Sequence, residues 1–215
     1  MYEQHKLIYL SGTYTAIHAD LRHRFGYMLN AMRQIGNEYD AVQHPWMLDN
    51  GQFSGKFRED VWLSRLEELS EYRETCLGIV VPDVIGDHDG TLTLWQTWAL
   101  CVRQNGLTPL FVAQTGCTIG NIPWDEMGGV FIGDTEAERV CWCFPIIAEA
   151  KRRSLWVHVG RVNSVKAIYK YGMADSVDGT TFKFDTKRTR QENILWAVEH
   201  CNGITELQEP LFMLD

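Results

Sequence analysis

Short apolar, β-branched runs alternate along this chain with stretches of helical periodicity. A strand-then-helix rhythm kept up over a whole chain confines it to a parallel sheet covered by helices. The strand runs lie at 7–10, 42–48, 77–81, 109–113, 129–132, 155–159 and 174–177, with a weaker eighth near 203–207. Helical patterns fall at 19–35, 58–73, 91–104, 135–153, 164–171 and 190–201. Asp134 and Asn163 stand where N-caps belong, and Gly36 and Gly106 where helices should stop. Seven or eight such units in 215 residues, with no linker, repeat or low-complexity stretch, predict one domain spanning 1–215. The expected fold is a compact (β/α)8 TIM-like barrel rather than an open doubly wound sheet.

Several function classes lose their support early. No GxGxxG follows the first strand and no GxxxxGK[ST] occurs, so nucleotide-cofactor folds lack their phosphate-cradling loops. No apolar run is long enough to span a membrane, and the N-terminal residues lack the basic-then-apolar pattern of a signal peptide. The expected location is therefore the cytoplasm, with the six cysteines read as buried thiols. Cys141-Trp142-Cys143 is the only close pair, and no second Cys/His pair follows at finger-like spacing. It reads as two ordinary helix residues, with no metal site. The net charge of −8 argues against indiscriminate nucleic-acid binding but leaves room for a local basic face.

Barrel enzymes carry their chemistry at the C-terminal ends of the strands, and here those ends are unusually polar. They hold Asp49-Asn50-Gly51-Gln52-Phe53, Pro82-Asp83 with Gly86-Asp87 beyond it, Gln114-Thr115-Gly116 and Gly133-Asp134. Further on come His158 with Gly160-Arg161, then Asp175-Ser176-Val177-Asp178. Each has a dull explanation alone: a turn, a helix start, a satisfied core histidine. Together they gather carboxylates at one mouth, where repulsion and desolvation raise some pKa values and stability gains nothing. One ionised Asp can attack an electrophilic sugar carbon while a second trades a proton with the leaving group. A third Asp and a Gln amide suit a purine edge, and Phe53 can stack on the base. The residues by themselves fit cleavage and remaking of an N-glycosidic bond.

At these positions the chain resembles the tRNA-guanine transglycosylase (queuine tRNA-ribosyltransferase-like) superfamily. It is most similar to the compact phage and bacterial branch of deazapurine DNA-modification transglycosylases. The resemblance runs from about Tyr9 to Phe184 and implies a (β/α)8 barrel that replaces guanine by a 7-deazaguanine, with no cofactor. Leu48-Asp49-Asn50-Gly51-Gln52-Phe53 is similar to the family's D-S-G-G-F/Y segment, which implies Asp49 as general acid/base and Phe53 as the stacking residue. Val80-Val81-Pro82-Asp83 and Val112-Ala113-Gln114-Thr115-Gly116 resemble the base-reading strand ends, implying that Asp83 and Gln114 contact the base. Gly133 matches the glycine whose backbone faces the base. Val157-His158-Val159-Gly160 resembles the strand end closing the other side of the pocket, with either His158 or Val159 pointing inward. Asp175-Ser176-Val177-Asp178 resembles the D-x-x-D end carrying the nucleophile, by that match Asp178; alternation lets only one of the two aspartates point in.

The chain departs from the tRNA enzymes in two ways. Residues 184–215 hold only Cys201 and His200 where those enzymes carry a Cys-rich zinc site, and the insertions that grip tRNA are missing. Both departures move the expected substrate from tRNA to DNA. The incoming base is expected to be a 7-deazaguanine such as preQ0 or a derivative, and helper proteins or a homo-oligomer remain open. Lys183, Lys187, Arg188 and Arg190, with Arg161, are the expected phosphate contacts. The same exchange in tRNA is the alternative substrate, and two other readings stand beside this one. A nucleosidase or deoxyribosyltransferase on free nucleosides would use the same aspartates without the basic segment. A non-catalytic nucleic-acid-binding barrel would not need Asp49 and Asp178.

Overall fold

The computed structural model describes residues 6–32 and 38–201. Eight parallel strands close into a barrel in sequence order. They are β1 (Ile8–Ser11), β2 (Gly26–Asn30), β3 (Trp46–Asp49), β4 (Cys76–Val80), β5 (Pro109–Ala113), β6 (Gly129–Ile132), β7 (Trp156–Val159) and β8 (Ser176–Gly179). β8 pairs with β1 from Ile8↔Ser176 to Ser11↔Gly179, which closes the ring. Around it lie α1 (Glu38–Ala41), α2 (Glu59–Leu69), α3 (His88–Gln104), α4 (Glu136–Arg139), α5 (Cys143–Arg152), α6 (Val165–Lys170), α7 (Thr181–Phe184) and α8 (Arg188–His200). The expected (β/α)8 barrel is the observed fold. No helix among the described residues is long and apolar enough to cross a membrane.

One strand is absent from the sequence expectation, and the last is displaced, β8 running over Ser176–Gly179 rather than 174–177. Of the expected helix over 19–35, the described part, 19–32, is not α-helical: a short 3-10 turn, Ala19–Arg24, leads into β2. Residues 26–29 are buried on both faces, so the strand shows no polar alternation and its apolar run reads equally well as buried helix. With β2 counted, the ring is complete without the weaker run at 203–207, which lies outside the described residues, as does Gly36. β3 begins at Trp46 rather than at 42, because residues 42–45 form the turn that closes α1, with His44 N–H donating to the Ala41 carbonyl.

The expected helix over 135–153 is two helices, α4 and α5. Pro145 has no N–H to give the Cys141 carbonyl and its ring would collide there, so the chain turns and restarts with Pro145 in a first helical turn. Asp134 and Asn163 are not the caps. Thr135 forms a capping box with Glu138, and the Ser164 side chain accepts from Ala167 N–H. Gly106, in the left-handed region at φ 70°, does follow the end of α3. Of the cysteines only Cys117, Cys143 and Cys201 are buried; Cys76 and Cys101 are half-buried, and Cys141 is exposed in the turn before α5.

Two apolar layers hold the fold. The larger lies between strands and helices and includes Trp46, Trp62, Trp95 and Ile147. The smaller fills the barrel itself with Leu10, Met28, Met47, Val80, Leu110 and Val112. Glycines make room for these leucines. A Cβ on Gly26 would stand 2.3 Å from Leu10 Cδ2 and 2.7 Å from the Pro45 carbonyl oxygen. Leucine side chains thus occupy space that a larger residue would need, and the Pro45 backbone cannot yield. Gly26→Ala is expected to destabilise by about 1–3 kcal/mol through overpacking. Denaturant unfolding checks this, and an unchanged midpoint would show slack in the barrel interior.

Candidate active site

The inward face of each strand is fixed by register. Asn30 pairs with Asp49, Val112 with Phe131, Phe131 with His158, His158 with Ser176, and Leu10 with Asp178. Since Leu10, Met28, Met47 and Val112 fill the interior, alternation carries Asn30, Asp49, Gln114, His158 and Asp178 inward at or near the C-terminal end. Val159 packs in the outer layer, so His158 is the inward residue of that pair. Asp175 belongs to the opposite end, before β8 begins. There it bridges to Lys151 at 2.6 Å and accepts from Val157 N–H at 2.7 Å. Asp178 is therefore the aspartate at the mouth.

Three carboxylates at this mouth sit in different surroundings. Asp178 is held through one oxygen: its Oδ1 accepts from Arg161 N–H at 3.0 Å and lies 3.2 Å from His158 Nε2. Arg161 adopts a left-handed backbone, φ 58°, in the turn that delivers this N–H. Asp49 accepts from Gly51 N–H and from the Asn30 amide, each at 3.3 Å. Burial raises the Asp49 carboxyl to about 6; the Gly51 N–H opposes the rise, and the negative charges of Asp178 and Asp83 add to it. Asp83 is buried with both oxygens engaged. Asn50 Nδ2 donates to Oδ1 at 2.8 Å, and Gln114 Nε2 donates to Oδ2 in a very short contact. Burial pushes the Asp83 carboxyl above its usual range, and the Asn50 and Gln114 donors counter it.

Gln114 is fixed at its other end by Gly86 N–H, which donates to Oε1 at 3.2 Å. Beneath it Gly133 leaves the space open, since a Cβ there would lie 2.9 Å from Gln114 Nε2. Asp134, expected as a cap, instead accepts from Thr115 N–H and Oγ1, both at 2.6 Å, and ties the end of β5 to that of β6. Gly160 gives Phe131 its place, as a Cβ would come within 2.8 Å of that ring. The exposed Phe53 ring lies under the Arg161 guanidinium, whose Cζ is 3.1 Å from the ring centroid. Burial lowers the Arg161 pKa from its usual value, while Asp178, Asp49 and Asp83 raise it. Arg161 thus belongs to the mouth itself, deeper than an outer phosphate contact.

The basic segment after β8 opens on the same end. Lys183 and Lys187 are exposed. Arg188 bridges Asp20 and Glu192, each at 2.8 Å, and Arg190 Nη2 donates to the Asn163 carbonyl at 3.0 Å. The other basic run, Lys151-Arg152-Arg153, ends α5 near the start of β7, at the far end of the barrel, where Asp175 and Glu149 neutralise it. Among the described residues no cluster of three His, Cys, Asp or Glu side chains could hold a metal ion.

Asn30, Asn50, Ser176 and Trp156 belong to the site but do not stand out in the sequence as functional residues. Asn30 is hidden by the missed strand, and Asn50 reads as a turn residue. The signal that finds Trp156 and Ser176 is parity: each is two residues from an inward group, His158 and Asp178.

No protein-family model matches the chain, and no curated protein does. Among solved structures it is similar to tryptophan synthase from M. tuberculosis. The ligand-free mutant form shares 12% identity over 91% of this chain and 94% of that one, with a TM-score of 0.51. The aminoacrylate-bound form shares 12% over 90% and 94%, with a TM-score of 0.50. At that identity the likeness is one of fold: this chain is a (β/α)8 barrel of the same architecture.

Proposed function

We propose that the chain is an enzyme, a transglycosylase that exchanges guanine for a 7-deazaguanine in DNA through a covalent aspartyl-glycosyl intermediate. The observation that carries the reading is the unequal treatment of Asp178 and Asp49 at one mouth. Asp178 is held through Oδ1 by the Arg161 N–H with His158 beside it, and no described donor reaches Oδ2, whereas burial and neighbouring charge raise the Asp49 carboxyl to about 6. A nucleophile must be ionised and a general acid protonated.

Asp178 attacks C1′ of the target nucleotide. As the new C–O bond forms, the pair of the C1′–N9 bond leaves with guanine, which takes the proton of Asp49. In return Asp49 accepts the proton of the incoming base, whose nitrogen attacks C1′ and releases Asp178 as carboxylate. Asp83 accepts from N1–H and the 2-amino group, while the second hydrogen of Gln114 Nε2 reaches O6. Phe53 stacks on the base with the face that Arg161 leaves open. The test is to incubate the protein with DNA, tRNA or free deoxyguanosine and a labelled 7-deazaguanine. Label in DNA supports the reading; label only in tRNA or only in free nucleoside replaces the substrate.

Two further outcomes are expected. Asp83→Asn sets a donor against the donor edge of the base and against Asn50 or Gln114. Binding of a free 7-deazaguanine should weaken by about 1–3 kcal/mol, and unchanged affinity in calorimetry would remove Asp83 from base recognition. Charge reversal at Lys183 and Lys187 should weaken DNA binding and flatten its salt dependence, with free-base binding kept. If DNA binding is untouched, the polymer lies elsewhere on the barrel.

A further inference from the structure

Beneath Asp178 a chain of side-chain hydrogen bonds runs up the inward face of β7 and β8. Trp156 Nε1 lies 3.0 Å from Ser176 Oγ, Ser176 Oγ lies 2.8 Å from His158 Nδ1, and His158 Nε2 lies 3.2 Å from Asp178 Oδ1. Its direction follows from what each group can do. An indole N–H only donates, and an ionised carboxylate only accepts. Facing Asp178, His158 Nε2 must carry hydrogen, so in the neutral ring Nδ1 is an acceptor. The Ser176 hydroxyl supplies the matching hydrogen while its lone pair takes the indole N–H. The opposite tautomer would set the Nε2 lone pair against the carboxylate. The imidazole is also fixed in place: it is fully buried and stacks on Phe131, with ring centroids 4.8 Å apart.

The chain ends on one oxygen. Asp178 Oδ1 takes both the His158 contact and Arg161 N–H, while no described donor reaches Oδ2. We propose that Trp156 and Ser176 set the Nε2–H tautomer of His158, and that His158 is a positioning residue holding Asp178 by Oδ1 so that Oδ2 is the attacking atom. The inference rests on the reading of Asp178 as nucleophile. When the Oδ2–C1′ bond forms, Oδ1 becomes the ester carbonyl oxygen and keeps both donors. They then stabilise the carboxylate that leaves in the second half-reaction.

The test has two arms. In the first, the full chain is labelled with isotopic histidine and the His158 tautomer is read by long-range proton–nitrogen correlation, with no substrate present. Nε2–H in the wild type, shifting towards Nδ1–H in Ser176→Ala, is expected; Nδ1–H in the wild type, or no change in Ser176→Ala, overturns the relay. In the second, release of labelled guanine from DNA and adduct formation are followed in His158→Leu and His158→Gln. His158→Leu should lose on the order of 100-fold in kcat with little change in KM, as misplacement of a reacting group does. His158→Gln, which keeps an amide donor towards Asp178, should recover much of it; full activity in His158→Leu, or no difference between the two, overturns the positioning role. A correct tautomer in a wild-type protein that releases no guanine leaves the relay standing and removes the transglycosylase reading. Guanine release with the wrong tautomer does the reverse.

Discussion

Asp178→Asn is expected to abolish base exchange and the covalent adduct together, with a loss on the order of 10³-fold or more. The substitution is nearly isosteric. The side-chain oxygen can still accept from Arg161 N–H and His158 Nε2, which hold Asp178 by Oδ1, so the fold and the mouth keep their shape. What changes is the second atom: an amide nitrogen replaces the oxygen that would attack C1′, and its lone pair is delocalised. Free-base binding should persist, because Asp83, Asn50 and Gln114 are untouched. Trapping with DNA followed by mass spectrometry locates the adduct. An adduct on Asp49 would reassign the nucleophile. One on Asp175 would contradict the barrel geometry, since that side chain is tied to Lys151 and Val157 N–H at the far end. Full exchange by Asp178→Asn would end the covalent mechanism.

Asp49→Asn should make the protein slower and more stable at once. Losing the general acid/base is expected to lower both half-reactions by about 10²–10⁴-fold. In the wild type the guanine-release step should fall as pH rises through about 6, where Asp49 gives up its proton, and the variant should lose that limb. The stability effect has the opposite sign. The Asp49 carboxyl lies at about 6 in the fold against an ordinary 3.8, so between these values the folded state binds more protons than the unfolded chain. Stability then falls as pH rises through that window, and above it the folded protein carries a penalty of about 3 kcal/mol at most. The half-buried position and the loss of one acceptor beside Asn30 reduce what the variant recovers. Asp49→Asn should thus unfold at higher denaturant than wild type at neutral pH, with the difference closing below about pH 4. A variant that is less stable at neutral pH would mean that the Asp49 carboxylate is well solvated in the fold and carries no such penalty.

The strand–helix alternation and the strand-end aspartates were legible because each depends on local order. Period-two and period-3.6 patterns need only neighbours in sequence, and a polar residue after an apolar run marks a strand end wherever that strand goes. β5 and β6 were legible to the residue. β2 was not, since Gly26–Asn30 is buried on both faces and lacks the alternation that tells strand from helix. With it went Asn30, the side chain that reaches Asp49 from the neighbouring strand. The N-cap at Asp134 failed for a related reason: its partner, Thr115, is nineteen residues away across the β5–β6 seam, and a local rule cannot see it.

By itself the sequence determined which residue types stand at the strand ends and that one of Asp175 and Asp178 must face away. Only the closed barrel decided which one, by setting β8 between β7 and β1 with Leu10 beside Asp178. Only the barrel set Trp156, Ser176, His158 and Asp178 in a single line of donors and acceptors. Only it raises the Asp49 carboxyl to about 6, because a carboxyl departs from its ordinary range through burial and neighbouring charge. Those depend on distances between strands far apart in the chain, which no pattern of adjacent residues contains.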